Sequence, residues 1–157
     1  MLSASSDPHG CNREMSEFDQ ENEVEYTVVV IPGELAQAKK PEADILRELR
    51  RCGYCNETTF AIKLTLEEAL TNAIKHGNLG DPTKTVTIRY AITPTQAVFC
   101  VCDQGAGFDP RDVPDPTSPD RLPLPNGRGI MLMRAYMDEV RFRRDGCEVF
   151  FVKRRQP

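Results

Sequence analysis

Apolar and polar positions follow two different periods along this chain, and the switches between them predict its elements. The run YTVVVI, Tyr26 to Ile31, is β-branched and stops at Pro32-Gly33, as a first strand would. The period then lengthens. Pro41 fits the first turn of a helix through EADILRELRRCG, with Ile45, Leu46 and Leu49 on one side and Gly53 as its stop. A second helix is predicted from about Glu57 to His76, with Phe60, Leu64, Leu66, Ala69, Leu70 and Ala73 as a broad apolar stripe and Gly77 as cap. Period two returns in TVTIRYAI, where Val86, Ile88, Tyr90 and Ile92 share a face, and in QAVFCVCD; Thr93-Pro94-Thr95 between them predicts an antiparallel hairpin. From Asp109 to Gly127 the chain is rich in proline and poor in apolar anchors, which suits neither helix nor central strand. GRGIMLMRAYMDEV resumes helical spacing through Ile130, Met133 and Met137, and EVRFRR and CEVFFVKRR flank the hairpin signal Asp145-Gly146. Strand, two helices, hairpin, loop, helix and hairpin make an α+β fold: a two-layer sandwich with a mostly antiparallel mixed sheet and helices on one face.

The 157 residues suit one domain. Residues 1–25 hold seven acids (Asp7, Glu14, Glu17, Asp19, Glu21, Glu23, Glu25) against Arg13, so taking this −6 from the formal −4 leaves the remainder near +2. We therefore expect a disordered acidic tail over residues 1–23 and a folded domain over 24–157, with no electrostatic footprint for nucleic acid. The first residues lack the basic and apolar regions of a signal peptide, and no run approaches the roughly 18 apolar residues of a membrane span, so a cytoplasmic protein with reduced thiols is expected. Cys52-Gly-Tyr-Cys55 has no second CxxC or CxxH at zinc spacing and follows no strand. It reads as a turn between two helices that happens to hold two thiols, ahead of a zinc half-site or a redox pair. Cys100 and Cys102 share a strand face and read as small buried residues.

Three clusters are not needed by a core. Glu68, Asn72 and His76 stand one turn apart on one face of the second helix; Asp103, Gly105 and Gly107 follow a strand; Gly127, Arg128 and Gly129 open a helix. Together they suggest a nucleotide site, with the proline-rich segment at about 109–127 as its lid. An Asp at a strand end can accept the exocyclic amine of adenine, and glycines beyond it let backbone approach a flat base. The Asn72 amide oxygen suits magnesium, which is usually held by few protein groups plus phosphates and water. Free N–H groups at a helix start bind phosphate, and Arg128 adds a charged donor. Glu68 remains as a base for an attacking hydroxyl or water. The last-turn position of Lys75 and His76 equally suits a base that complements the helix dipole.

EEALTNAIKHGN, DQGAGFDP and NGRGIMLMRAYMDEV resemble the N-box and the two glycine boxes of the histidine-kinase-like ATPases, the superfamily shared with gyrase and mismatch-repair ATPases. Among these the chain is most similar to the small bacterial anti-sigma-factor serine/threonine kinases, over about Tyr26 to Arg155. The resemblance implies ATP and Mg2+ as cofactors, with Asn72 as metal ligand, Glu68 as general base, Asp103 on adenine and Gly105 and Gly107 shaping the base pocket. It implies that Gly127 and Gly129 hinge the lid and meet the phosphates. It further implies a STAS-domain anti-anti-sigma protein as substrate, a sigma factor as second partner, a role in transcription regulation and a possible homodimer. The alternative is a non-catalytic module that sequesters a sigma factor or other regulator, using nucleotide only to set its shape. The charged RELRR face of the first helix would then dock the partner.

Overall fold

The computed structural model describes residues 25–106 and 125–156, with side chains in the last helix from Gly129 onward. The strands are β1 (Thr27–Pro32), β2 (Thr85–Ile92), β3 (Gln96–Cys102), β4 (Glu139–Arg143) and β5 (Glu148–Arg154), and the helices are α1 (Lys39–Arg51), α2 (Asn56–Thr71) and α3 (Pro125–Tyr136). A short 3-10 turn, Leu35–Ala38, leads into α1. The sheet order is β1-β2-β3-β5-β4, and every pairing among the described strands is antiparallel, with no parallel pair.

Register divides the sheet into two faces. Ile88 stands opposite Val101, and Phe99 opposite both Tyr90 and Phe151, so these side chains share the face against which Ile45, Leu49, Ile62, Leu66, Leu70 and Met133 of the helices pack. Phe99 lies 5.1 Å from Phe151 and 6.4 Å from Tyr90 between ring centroids, forming an aromatic row under the helices. Fully burying a side chain such as Leu66 contributes about 1.5–3 kcal/mol, so this layer dominates the stability. The α+β sandwich with helices on one face is therefore the fold of this chain.

Three details depart from the sequence expectations. Phe60 is 58 % exposed, because the buried phase of α2 runs through Thr58, Ile62, Thr65, Leu66 and Ala69, and Phe60 lies two residues, about 200°, away from Ile62. Size misled where phase decided; Thr65 is tolerated in the core because its hydroxyl donates to the Ala61 carbonyl at 2.9 Å. Gly77 is not the left-handed cap: α2 passes into a π-helical turn, Asn72–Gly77, and positive φ falls on Leu79 (53°) and Gly80 (70°). Gly80 N–H closes the end by donating to the Ile74 carbonyl at 2.9 Å. Helix α3 begins at Pro125, so the last residues of the expected lid are helical, as suits proline in a first turn, while 109–124 lie outside the described residues. Cys100 and Cys102 are both buried, as their strand pattern suggested, and lie on the sheet face away from the helices.

Cys52 to Cys55 form the turn between α1 and α2. Cys55 is the N-cap of α2, its sulfur accepting from Thr58 N–H at 3.5 Å and pairing with the Thr58 hydroxyl at 3.2 Å. Those bonds pull the Cys55 thiol below its ordinary range.

Candidate functional site

The site gathers around the π-helical turn, which carries Asn72 at one end and Gly77 at the other. At the Gly77 end β3 terminates and Asp103 folds back under the turn, 8 % exposed. A Cβ on Gly77 would overlap the Asp103 carboxylate, and one on Gly105 would overlap the Gly77 carbonyl oxygen. Glycine is required at both positions by close approach, since neither has a positive φ. Asp103 Oδ1 accepts from Gly105 N–H at 2.8 Å. Burial raises the Asp103 carboxyl above the usual carboxylate range, against the opposing pull of the Gly105 N–H and of the Lys84 charge.

Asn78 braces this end, and nothing in the sequence reading singled it out. It is fully buried; its Oδ1 accepts from Gln104 N–H at 2.8 Å and its Nδ2 donates to the Thr85 carbonyl at 3.0 Å. Gln104 returns the contact, Oε1 accepting from Thr85 N–H at 2.8 Å. One amide thus ties the turn, the strand start and the glycine loop together. The only sequence signal was an Asn directly after a helix-ending His-Gly, inside the quoted N-box stretch. Cys147 adds a second unforeseen brace: its carbonyl accepts from Asp103 N–H at 2.9 Å and its thiol donates to the Gly105 carbonyl at 3.1 Å.

At the other end, Glu68 and Asn72 converge on the start of α3. A Cβ on Gly129 would stand 2.7 Å from Glu68 Oε2 and 3.3 Å from Asn72 Nδ2, so α3 seats directly against this pair. Both side chains are partly exposed, and neither hydrogen-bonds another described side chain. Glu67, one residue earlier, points elsewhere, lying on the groove beside α1 with Glu42 and 4.0 Å from Lys63. His76 is exposed. Gly107 lies outside the described residues; Gly127 and Arg128 belong to the first turn of α3, where the backbone alone is described.

A buried carboxylate beside two glycines that admit no side chain, an amide–carboxylate pair at the other end of the turn and α3 seated against that pair bring together the polar groups that a nucleotide site uses. The donor set suits the implied groups, with a carboxylate for an amine and an amide oxygen for a hard cation. Residues 31–153 match the family model of the histidine kinase-like ATPase domain. The chain belongs to that family. Curated relatives of this histidine kinase-like ATPase include the serine-protein kinase RsbW of Bacillus licheniformis, 34 % identical over 102 residues covering 60 % of this chain and 63 % of the relative. RsbW of Bacillus subtilis is 33 % identical over 58 % of this chain and 61 % of its own length, and RsbW of Listeria monocytogenes 29 % over 66 % and 70 %. The chain thus spans roughly six to seven tenths of the curated relatives it matches. The crystal structure of the RsbU and RsbW domains of Rv1364c from Mycobacterium tuberculosis is similar at a TM-score of 0.56 and 16 % identity, over 85 % of this chain and 33 % of that one, a likeness in fold. Among the described residues, no helix is long and apolar enough to cross a membrane.

Proposed function

We propose that this histidine kinase-like ATPase is a cytoplasmic, magnesium- and ATP-dependent protein serine/threonine kinase that phosphorylates a STAS-domain anti-anti-sigma protein, and that it binds a sigma factor when that antagonist is unavailable. The observation that carries this reading is the convergence of Glu68 and Asn72 on Gly129, one π-turn from Asp103, in a chain whose curated relatives are serine-protein kinases. In this reading Asp103, against which Gly77 packs, accepts the exocyclic amine of adenine, and Gly105 and Gly107 shape the base pocket. Asn72 holds magnesium, and Gly127, Arg128 and Gly129 meet the phosphates, with His76 close to the nucleotide. The bound Mg-ATP supplies the transferable phosphoryl group and the charge neutralisation it needs. Glu68 accepts the proton of the serine or threonine hydroxyl, the partly exposed carboxylate being free of side-chain partners among the described residues. Placing base and metal ligand one helical turn apart on one rigid element fixes their separation before substrate arrives.

Incubation with labelled ATP and candidate STAS proteins tests this. Transfer that requires magnesium and is lost in Glu68→Gln supports the reading; transfer indifferent to Glu68 removes the base assignment. The second reading, a nucleotide-dependent module that sequesters a sigma factor without catalysis, draws on α1, whose Arg47, Arg50 and Arg51 are exposed on the RELRR face. It is favoured if a Glu68→Gln protein regulates normally in cells while Arg47→Glu does not. A homodimer is part of the same proposal, and light scattering at micromolar concentration tests it.

A further inference from the structure

The sheet face away from the helices is buried where a two-layer fold leaves a sheet open to water. Register places Ala91, Val98, Val152 and Glu139 in one row across this face, and Val28, Arg89, Cys100, Phe150 and Arg141 in the next, with Tyr26 packed against the centre. At its centre Val98, Cys100 and Phe150 are each 2 % exposed and Val152 is 0 %, whereas Val28 and Val30 at the β1 edge are 53 % and 51 % exposed. Among the described residues no helix residue belongs to this cluster, which holds strand residues and the flanking Tyr26. Arginines cover part of it: the Arg143 guanidinium lies 4.8 Å from the Phe150 ring centre and donates to Cys100 Sγ at 3.2 Å, and Arg89 stacks on Tyr26 at 4.9 Å. The face carries four arginines, Arg89, Arg141, Arg143 and Arg154, against Glu139 and Glu148.

We propose that the acidic segment 1–24 of the same chain docks on this face, laying its carboxylates on the arginine rim and its apolar side chains, Met15 and Phe18, over the Val98–Cys100–Phe150–Val152 centre. Three observations carry it. The segment holds six acids against Arg13, the opposite sign to the face. It joins the described chain at Glu25, one residue before Tyr26, whose ring already packs on the centre, so it enters on this face at the β1 edge of the sheet. Its reach, up to about 80 Å when extended, exceeds the roughly 20 Å across five strands, so no strain opposes the docking.

Cys100 reports on the contact. In the full chain, its alkylation rate, read by mass spectrometry, should rise at least tenfold when Glu14, Glu17, Asp19, Glu21 and Glu23 are all changed to Gln or Asn. The unmodified protein should show a comparable rise when salt goes from 0.1 to 1 M, where the screening length falls from about 10 to about 3 Å. Arg141→Glu should accelerate labelling too, and lysines at the five tail positions should restore protection in that background. Unchanged Cys100 protection in the neutralised variant, at an unchanged melting temperature, overturns the proposal. So does protection in the unmodified protein that is indifferent to salt, or that fades on dilution, which would place a second copy on the face.

Discussion

At the Asp103 end of the π-helical turn the described polar groups are tied to one another: Asp103 to Gly105, Asn78 to Gln104 and Thr85, Gln104 to Thr85, Cys147 to Gly105. At the opposite end, Glu68 and Asn72 approach Gly129 closely and hold no other described side chain by a hydrogen bond. One end is assembled by folding; the other keeps its polar atoms available. That division suits a site in which a base is recognised by a fixed shape while charged groups are gathered only when substrate arrives, since preorganised contacts add affinity and unused ones add chemistry.

The largest effect that tests this contrast is on the rate. Glu68→Gln should lower phosphoryl transfer by about 10²–10⁴-fold in single-turnover assays while ATP affinity stays within about threefold and the melting temperature is unchanged. A fall of several degrees would show that the open end is structural after all. Next is Gly105→Ala, whose methyl would meet the Gly77 carbonyl oxygen. It should weaken ATP binding by roughly 100-fold in titration calorimetry and destabilise the fold by about 1–3 kcal/mol. Gly129→Ala, at the open end, should affect binding less, because the Glu68 side chain it meets can rotate.

Asn78→Ala should cost about 2–3 kcal/mol in denaturant titrations, because it leaves the Gln104 N–H and Thr85 carbonyl without their buried partner. A loss under 0.5 kcal/mol would mean that the brace is not what orders this end. Asp103→Asn should separate function from stability. Because burial holds the Asp103 carboxyl above its ordinary value, its charged form opposes folding, so the ligand-free protein loses stability as pH rises through that value. The Asn variant should lack this slope and be as stable or slightly more so at neutral pH, yet bind ATP at least tenfold more weakly.

The smallest effect lies outside the site. Burial and the hydrogen-bonded Glu67 carboxyl raise Glu42 to about 7, with Lys63 opposing. Protonated Glu42 therefore favours the fold, and stability should decline as pH rises from about 5 through 7. The change should stay below about 1 kcal/mol because the group is largely solvated, and Glu67→Gln should flatten it. Transfer activity should not follow this titration if the groove beside α1 is separate from the site.

Much of this was legible from the chain. Alternation at Val86, Ile88 and Tyr90 and the Asp145-Gly146 turn specified the strands because period two admits one buried face per register. Glu68, Asn72 and Asp103 stood out as candidates because polar residues at helical spacing and at a strand end are not what a core selects. Phe60 was misjudged, and Asn78 and Cys147 passed unnoticed, because their roles depend on segments distant in sequence: Asn78 meets Gln104, 26 residues on, and Cys147 meets Gly105, 42 residues back.

What the sequence by itself determined was therefore local: which stretches become helix or strand, which faces are apolar, and which residue types are available for chemistry. The tertiary structure alone decided why Gly77 must be glycine. Its reason is not the left-handed cap its place after a helix suggested but the Asp103 carboxylate delivered against it by β3. It likewise decided that the second sheet face is buried. Side-chain propensities act over a few residues, whereas close approach and burial are set by whatever the rest of the chain brings alongside.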